Sequence, residues 1–277
     1  MMKKYAILIP LVIVFALYGC ATDQAVVEYS EVVLIPTEDS ELNPQEELYS
    51  SVEAGDVEAT QVALQAGADP NGIPSDSTMT LLIMAIAQNR PELVAVLLTG
   101  GADVHAKDLE YYDAPIIWAA DIGGPEVITL LLEAGANIEE MDEAMGGTPL
   151  MWAAAKNTPE VVSTLLAYGA DLSARDTKDV GGEVIIWAAQ EGSPQVIKLL
   201  LEAGADIESR DLHFESTPLM WAAIMNTAEV VTTLIEAGAD LFATDFFFSQ
   251  TALELAEEEG REEIVQLLKN AEAQATL

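Results

Sequence analysis

Few side chains in this sequence combine a type and a spacing that could perform catalysis. Cys20 is the only cysteine, and the two histidines, His105 and His213, belong to no paired arrangement that could act as general acid and base. No Ser/His/Asp order, glycine-rich phosphate loop or Cys/His metal spacing occurs. The sequence therefore predicts a protein that is not an enzyme and has no cofactor.

The acidic loops could bind Ca²⁺ weakly through carboxylate clusters such as Asp176, Asp179 and Glu183. Oxygen atoms of this kind are the ligands that Ca²⁺ prefers, but the spacing matches no calcium-binding loop. A solvated charge cluster is the favoured interpretation. No metal site is predicted.

The four tryptophans recur at nearly constant spacing. Trp118, Trp152, Trp187 and Trp221 follow one another at steps of 34, 35 and 34 residues, and Met84 stands one step earlier. Exposed indoles in a row would form a binding hot spot, because tryptophan dominates interface energetics. Rings wedged between structural repeats would instead form a packing ladder. Both interpretations remain open from the sequence.

A tripeptide repeat indicates the elements that position these rings. Gly-Ala-Asp, once Gly-Ala-Asn, begins at Gly67, Gly101, Gly135, Gly169, Gly204 and Gly238. A period of about 34 residues is typical of stacked helical units rather than of one closed core. Within the unit that opens at Thr148, Thr-Pro marks one helix start, Thr158-Pro159 marks a second, and Gly169 ends it.

These motifs resemble the ankyrin-repeat family, whose signature reads T-P-L-H-x-A-A, E-V-V-x-L-L and G-A-D. The resemblance implies an all-α, ankyrin-repeat solenoid of about seven helix-turn-helix-loop units over residues 46–277. The units open near Glu46, Thr80, Ala114, Thr148, Glu183, Thr217 and Thr251. The first and last units are polar, as capping repeats are. The resemblance also implies that the tryptophans lie on the first helix of each unit and face the concave side.

Two departures from the family pattern concern the loops. The histidine that follows Thr-Pro-Leu and braces neighbouring loops is replaced by Ile or Met, so the bracing must come from other groups. Several loop tips also carry aromatic residues: Tyr111, Tyr112, Phe214, Phe246, Phe247 and Phe248. The three successive phenylalanines either contact a partner or fold back over the final repeat, and the second alternative is favoured.

The first 45 residues have the organisation of an exported lipoprotein. A basic start at Lys3 and Lys4 precedes an apolar run that is too short to span a bilayer as a stable helix. Leu17-Tyr18-Gly19-Cys20 resembles a bacterial lipobox, which implies a signal peptide at 1–19, lipidation of Cys20 and an acidic tether at 20–45. An ordinary secretory signal is the alternative. The expected location is the periplasmic face of the outer membrane.

Charge narrows the class of partner. The chain has 47 acidic and 11 basic residues, a formal net charge of −36. Nucleic-acid binding is excluded on this ground, because phosphate recognition depends on lysine and arginine. A basic protein would be attracted, although the acids could instead serve solubility. We expect a monomeric scaffold that binds a protein through a Trp-lined groove. An inhibitor of a basic toxin or hydrolase, or a protective support for a periplasmic enzyme, is the alternative.

Overall fold

The computed structural model describes residues 43–156 and 158–276. The predicted signal peptide, Cys20 and most of the predicted tether lie outside these residues. Within them, the secondary structure is helical, apart from one isolated bridge between Arg175 and Glu183. No helix in the described ranges combines the length and apolarity that a membrane span requires.

The described residues form fourteen helices in seven consecutive pairs. They are α1 (Pro44–Ala54), α2 (Val57–Gln65), α3 (Leu81–Ala87), α4 (Pro91–Thr99), α5 (Pro115–Ile122), α6 (Pro125–Glu133), α7 (Pro149–Ala155), α8 (Pro159–Ala167), α9 (Val184–Glu191), α10 (Pro194–Glu202), α11 (Pro218–Met225), α12 (Ala228–Glu236), α13 (Ala252–Glu258) and α14 (Glu262–Ala275). The predicted fold class is confirmed.

Each pair begins and ends as its local sequence dictates. Proline occupies the first turn of eight helices, where its missing N–H costs no hydrogen bond. The residues at which the second to seventh units were predicted to open are the N-caps of their first helices. The first unit begins earlier than predicted, because Asn43 caps α1 and Pro44 starts it.

The second helix of the first six units ends at the repeated glycine. Gly169, for example, has a φ of 88°, and nothing lies within 4 Å of the position where a Cβ would stand. Glycine is required there by its backbone conformation and not by lack of space.

The helices stack in two rows. Odd-numbered helices pack on odd-numbered neighbours from α1 to α13, and even-numbered helices do the same from α2 to α14. A continuous core of buried aliphatic and alanine side chains lies between the rows. We call the surface formed by the odd-numbered helices and the loops that precede them the inner face. It carries the four tryptophans and the aromatic residues of the loops.

Candidate functional site

The inner face is organised by a buried aspartate in each of four successive loops. Asp142 shows the arrangement. One of its carboxylate oxygens accepts the backbone N–H groups of Ala144 and Met145 at 2.8 and 2.7 Å. The other accepts the N–H of Gly147 at 2.6 Å and the indole N–H of Trp152 at 3.0 Å. The carboxylate therefore fixes the loop and attaches it to the following helix, α7.

The same contact recurs in the other three loops. Aspartate carboxylates accept indole N–H groups at 3.0–3.2 Å in the pairs Asp108–Trp118, Asp142–Trp152, Asp176–Trp187 and Asp211–Trp221. We call these four contacts the Asp–Trp pairs. All four aspartates are buried. A buried carboxylate is stable only when it is well hydrogen-bonded, and here the loop backbone and the indole supply the donors.

Hydrogen bonding also determines how readily Asp108 ionises. Burial opposes ionisation, but the N–H groups of Tyr111, Trp118, Asp113 and Glu110 outweigh it and lower the pKa of Asp108 below its usual value. Hydrogen bonds to the charged form of a carboxylate have this effect. The Asp108–Trp118 pair is therefore an ionised, charge-assisted contact at neutral pH.

Asp176 is buried, whereas the sequence favoured a solvated charge cluster at Asp176, Asp179 and Glu183. It is 3% exposed and accepts the N–H groups of Asp179, Gly181 and Gly182 as well as the indole of Trp187. Glu183, the third member of the cluster, pairs with Arg175 at 2.6 Å. These carboxylates organise the loop. Within residues 43–156 and 158–276, no group of three His, Cys, Asp or Glu side chains is arranged to hold a metal ion.

Backbone hydrogen bonds supply the bracing between loops that the sequence left open. The N–H of one loop donates to a carbonyl of the preceding loop in the pairs Leu109–Thr78, Lys178–Met145, Leu212–Val180 and Phe246–Phe214, at 2.8–3.0 Å. At the remaining junction, the N–H of Glu143 donates to the side chain of Asp113 at 3.1 Å. Neighbouring repeats are thus connected through main-chain groups.

The tryptophans do not form one uniform row. Trp187 is buried, with 4% of its surface exposed, and its ring covers Gly147 of the preceding loop. It meets Trp152 edge to face with 5.6 Å between ring centroids. Trp118, Trp152 and Trp221 are half-buried. Trp187 is therefore a packing residue, whereas the other three combine a packed edge with an accessible surface.

Loop aromatics extend the tryptophan rings outward. Tyr111 contacts Trp118 with 5.9 Å between ring centroids, and Phe214 contacts Trp221 at 6.0 Å. Phe214 also contacts Phe247, at 6.2 Å. The neighbouring Tyr112 is 59% exposed and is not among these ring contacts.

The three successive phenylalanines are exposed. Phe246, Phe247 and Phe248 are 65%, 60% and 77% exposed. The carboxylate of Asp245 accepts the N–H of Phe248 at 2.8 Å, which organises this loop. The choice between a partner contact and a cover over the final repeat stays a prediction.

Three hollows open on the inner face, each with an apolar floor and an acidic rim. The first, of about 680 Å³, is floored by Tyr49 and Met84 and bordered by Glu46, Glu53 and Asp76. The middle hollow, of about 340 Å³, is lined by Tyr111, Asp113, Ile117, Trp118, Asp121, Trp152 and Lys156. The third, of about 260 Å³, contains Phe214, Trp221, Phe247, Phe248 and Leu255 beside Glu258 and Glu259.

Comparison with known proteins agrees with this architecture. The family model described as "Ankyrin repeats (3 copies)" matches residues 109–176 and 185–277, and "Ankyrin repeat" matches residues 78–109. This chain belongs to the ankyrin-repeat family. Its repeats are of a class that acts as a scaffold for protein–protein interaction and is typically not enzymatic.

Among solved structures, the chain is similar to the human ASB11 ankyrin repeat domain. The TM-score is 0.69 at 23% sequence identity, over 81% of this chain and 96% of that one. At this identity the similarity shows the fold alone. No curated protein sequence matches this chain.

Proposed function

We propose that this chain is a lipid-anchored binding protein of the bacterial cell envelope, and that its inner face binds a basic protein. The observation that carries the proposal is the composition of the three hollows. Their rims hold seven exposed or half-buried carboxylates and one cation, Lys156, around aromatic and aliphatic floors. Aromatic anchors surrounded by charge of one sign suit a partner of the opposite sign.

The basic residues of the repeats support the same conclusion, because most of them serve intramolecular contacts. Residues 43–276 contain 41 acidic and nine basic side chains. Arg90, Arg210 and Arg261 donate to backbone carbonyls of a neighbouring repeat. Lys107, Lys156, Arg175, Lys178 and Lys269 pair with carboxylates. Most carboxylates therefore have no internal counter-ion, and the field around the inner face is negative.

The anchor is proposed from the sequence, since a lipidated Cys20 accounts for the single cysteine in an exported chain. It is tested by Cys20→Ser. The variant should fail to incorporate a labelled fatty acid and should leave the membrane fraction or remain uncleaved. A wild-type protein that incorporates no fatty acid would remove the anchor from the proposal without affecting the binding face.

The binding face is tested by two charge-matched variants of the full chain. The inner variant carries Glu53→Lys, Glu258→Lys and Glu259→Lys, and the outer variant carries Glu133→Lys, Glu202→Lys and Glu236→Lys. All six glutamates are exposed, and the second set lies at the ends of even-numbered helices.

Both variants change the net charge equally, so they differ only in the face that is altered. We expect wild type and the outer variant to capture the same basic protein from envelope extract, and the inner variant to capture several-fold less. Equal capture by both variants would contradict the proposed face. If the captured protein is a toxin or hydrolase that loses activity on binding, the function is inhibition. Preserved activity would indicate a support role.

A further inference from the structure

We propose that the middle hollow is a subsite for the cationic head of one arginine side chain of the partner. The inference rests on the proposed function and makes it specific. It assigns the binding of a single positive charge to Tyr111, Trp118 and Trp152, together with the carboxylates of Asp113 and Asp121.

The chain's own lysine shows what this hollow attracts. The Nζ atom of Lys156 lies 5.5 Å from the ring centroid of Trp152 and 3.5 Å from a carboxylate oxygen of Asp121. An ammonium group over an aromatic face and beside a carboxylate is held by both the ring quadrupole and the charge. Lys156 is 42% exposed on a flexible stem, so it occupies one wall of the hollow without filling it.

The Tyr111 side of the hollow offers further aromatic surface and a second carboxylate. Tyr111 and Trp118 lie with their rings tilted at 57°, and both line the hollow. Asp113 stands beside them, and among the described residues only the N–H of Glu143 donates to its carboxylate. Burial is the largest cause that raises the pKa of Asp113, and repulsion from Asp142 and Asp108 adds to it. The N–H of Glu143 and the charge of Lys107 offset only part of this increase. An incoming positive charge would relieve this unfavourable environment.

The rings of this hollow are held in place before any partner arrives. The indole N–H groups of Trp118 and Trp152 are bound to Asp108 and Asp142 at 3.0 Å. The buried Trp187 packs edge-on against Trp152 at 5.6 Å. Fixed rings lose little entropy on binding, which favours affinity. A planar guanidinium can stack on an aromatic ring and contact a carboxylate at the same time, which a lysine ammonium cannot do equally well.

A charge-specific probe tests the subsite directly. Acetyl-Gly-Arg-Gly-amide is titrated into the full chain, and the matched peptide with citrulline in place of arginine serves as the neutral control. The four indole N–H resonances are followed by NMR after assignment with single Trp→Phe variants. We expect the signals of Trp118 and Trp152 to shift with the arginine peptide, with a Kd of the order of 1–10 mM. The signal of Trp221 should stay in place.

Two variants distinguish a subsite from a general effect of charge. Lys156→Met removes the internal competitor and should tighten binding of the arginine peptide about three- to tenfold. Asp121→Asn should weaken it by a similar factor. An equal response to the citrulline peptide, or equal shifts of all four indoles, would overturn the subsite. That result would leave the capture of a basic protein by the inner face unaffected, so the two proposals fail separately.

Discussion

Gly147 lies so close to the ring of Trp187 that a Cβ added to the glycine would stand 2.6 Å from the Cη2 atom of the indole. Gly147 lies in the loop that leads into α7, and Trp187 lies on the neighbouring helix of the same row, α9. The N–H of Gly147 also donates to Asp142. Trp187 is therefore buried by the loop that leads into α7, which explains why it differs from the other three tryptophans.

This contact predicts that Gly147→Ala destabilises the protein. The new methyl group must displace the ring or the loop, which should cost about 1–3 kcal/mol in unfolding free energy. Gly124→Ala is the matched control, because the Cβ there meets the movable side chain of Asn89 at 3.1 Å. Gly124 is also the N-cap of α6, and its replacement by alanine should lower the unfolding free energy by less than about 1 kcal/mol. If chemical denaturation gives equal losses of unfolding free energy for the two variants, the ring of Trp187 is not tightly packed.

The Asp108–Trp118 pair predicts a pH-dependent stability. Because the pKa of Asp108 is lowered in the folded state, its contribution is complete above the unfolded pKa of about 3.9. It is lost as the pH falls through the folded pKa. Asp108→Asn should therefore cost about 2–3 kcal/mol at pH 7, where it replaces a charged acceptor of four donors.

The difference between wild type and Asp108→Asn should narrow as the pH is lowered below about 4. Denaturation curves of both proteins at several pH values measure this difference. A difference that stays constant between pH 7 and pH 3 would show that Asp108 is not bound as a carboxylate.

Backbone strain in the Asp-organised loops predicts a stabilising substitution. Tyr112, Glu215 and Ser249 have φ angles of 60°, 54° and 54°, and the corresponding position in the Asp142 loop is Gly146, with φ of 71°. A left-handed conformation costs a non-glycine residue about 1–2 kcal/mol. Replacing such a residue by glycine removes this cost. Part of the gain is lost because glycine has a greater conformational entropy in the unfolded chain. Glu215→Gly should raise the unfolding free energy by about 0.5–1 kcal/mol, and a fall in melting temperature would contradict the strain.

The sequence alone predicted the repeat architecture well, because its determinants are local. Thr148-Pro149 and Gly169 specify a start and an end through capping and backbone conformation, without reference to the rest of the chain. The carboxylate of Asp142 was missed because three of its four partners are main-chain N–H groups, which no side-chain pattern reveals. One signal was present: each tryptophan follows an aspartate by ten or eleven residues, and Pro74 replaces the aspartate before Met84.

The sequence could not predict how exposed Trp187 and the phenylalanines are, because their exposure depends on contacts between repeats. Trp187 is buried by Gly147, which lies 40 residues earlier. Phe247 packs on Phe214 of the preceding loop and stays 60% exposed. A period of 34 residues makes these positions look equivalent, but their neighbours differ.

Binding of a basic partner through the aromatic floor of the inner face is tested most directly by the affinity of Tyr111→Ala for the captured protein. Tyr111 is 52% exposed in the middle hollow, whereas Tyr168, which is 46% exposed, ends α8 in the even-numbered row. Both substitutions should leave the melting temperature nearly unchanged. We expect Tyr111→Ala to weaken binding about tenfold or more, while Tyr168→Ala should change it less than about twofold. Equal affinities for the two variants would show that the partner does not bind through the aromatic floor of the inner face.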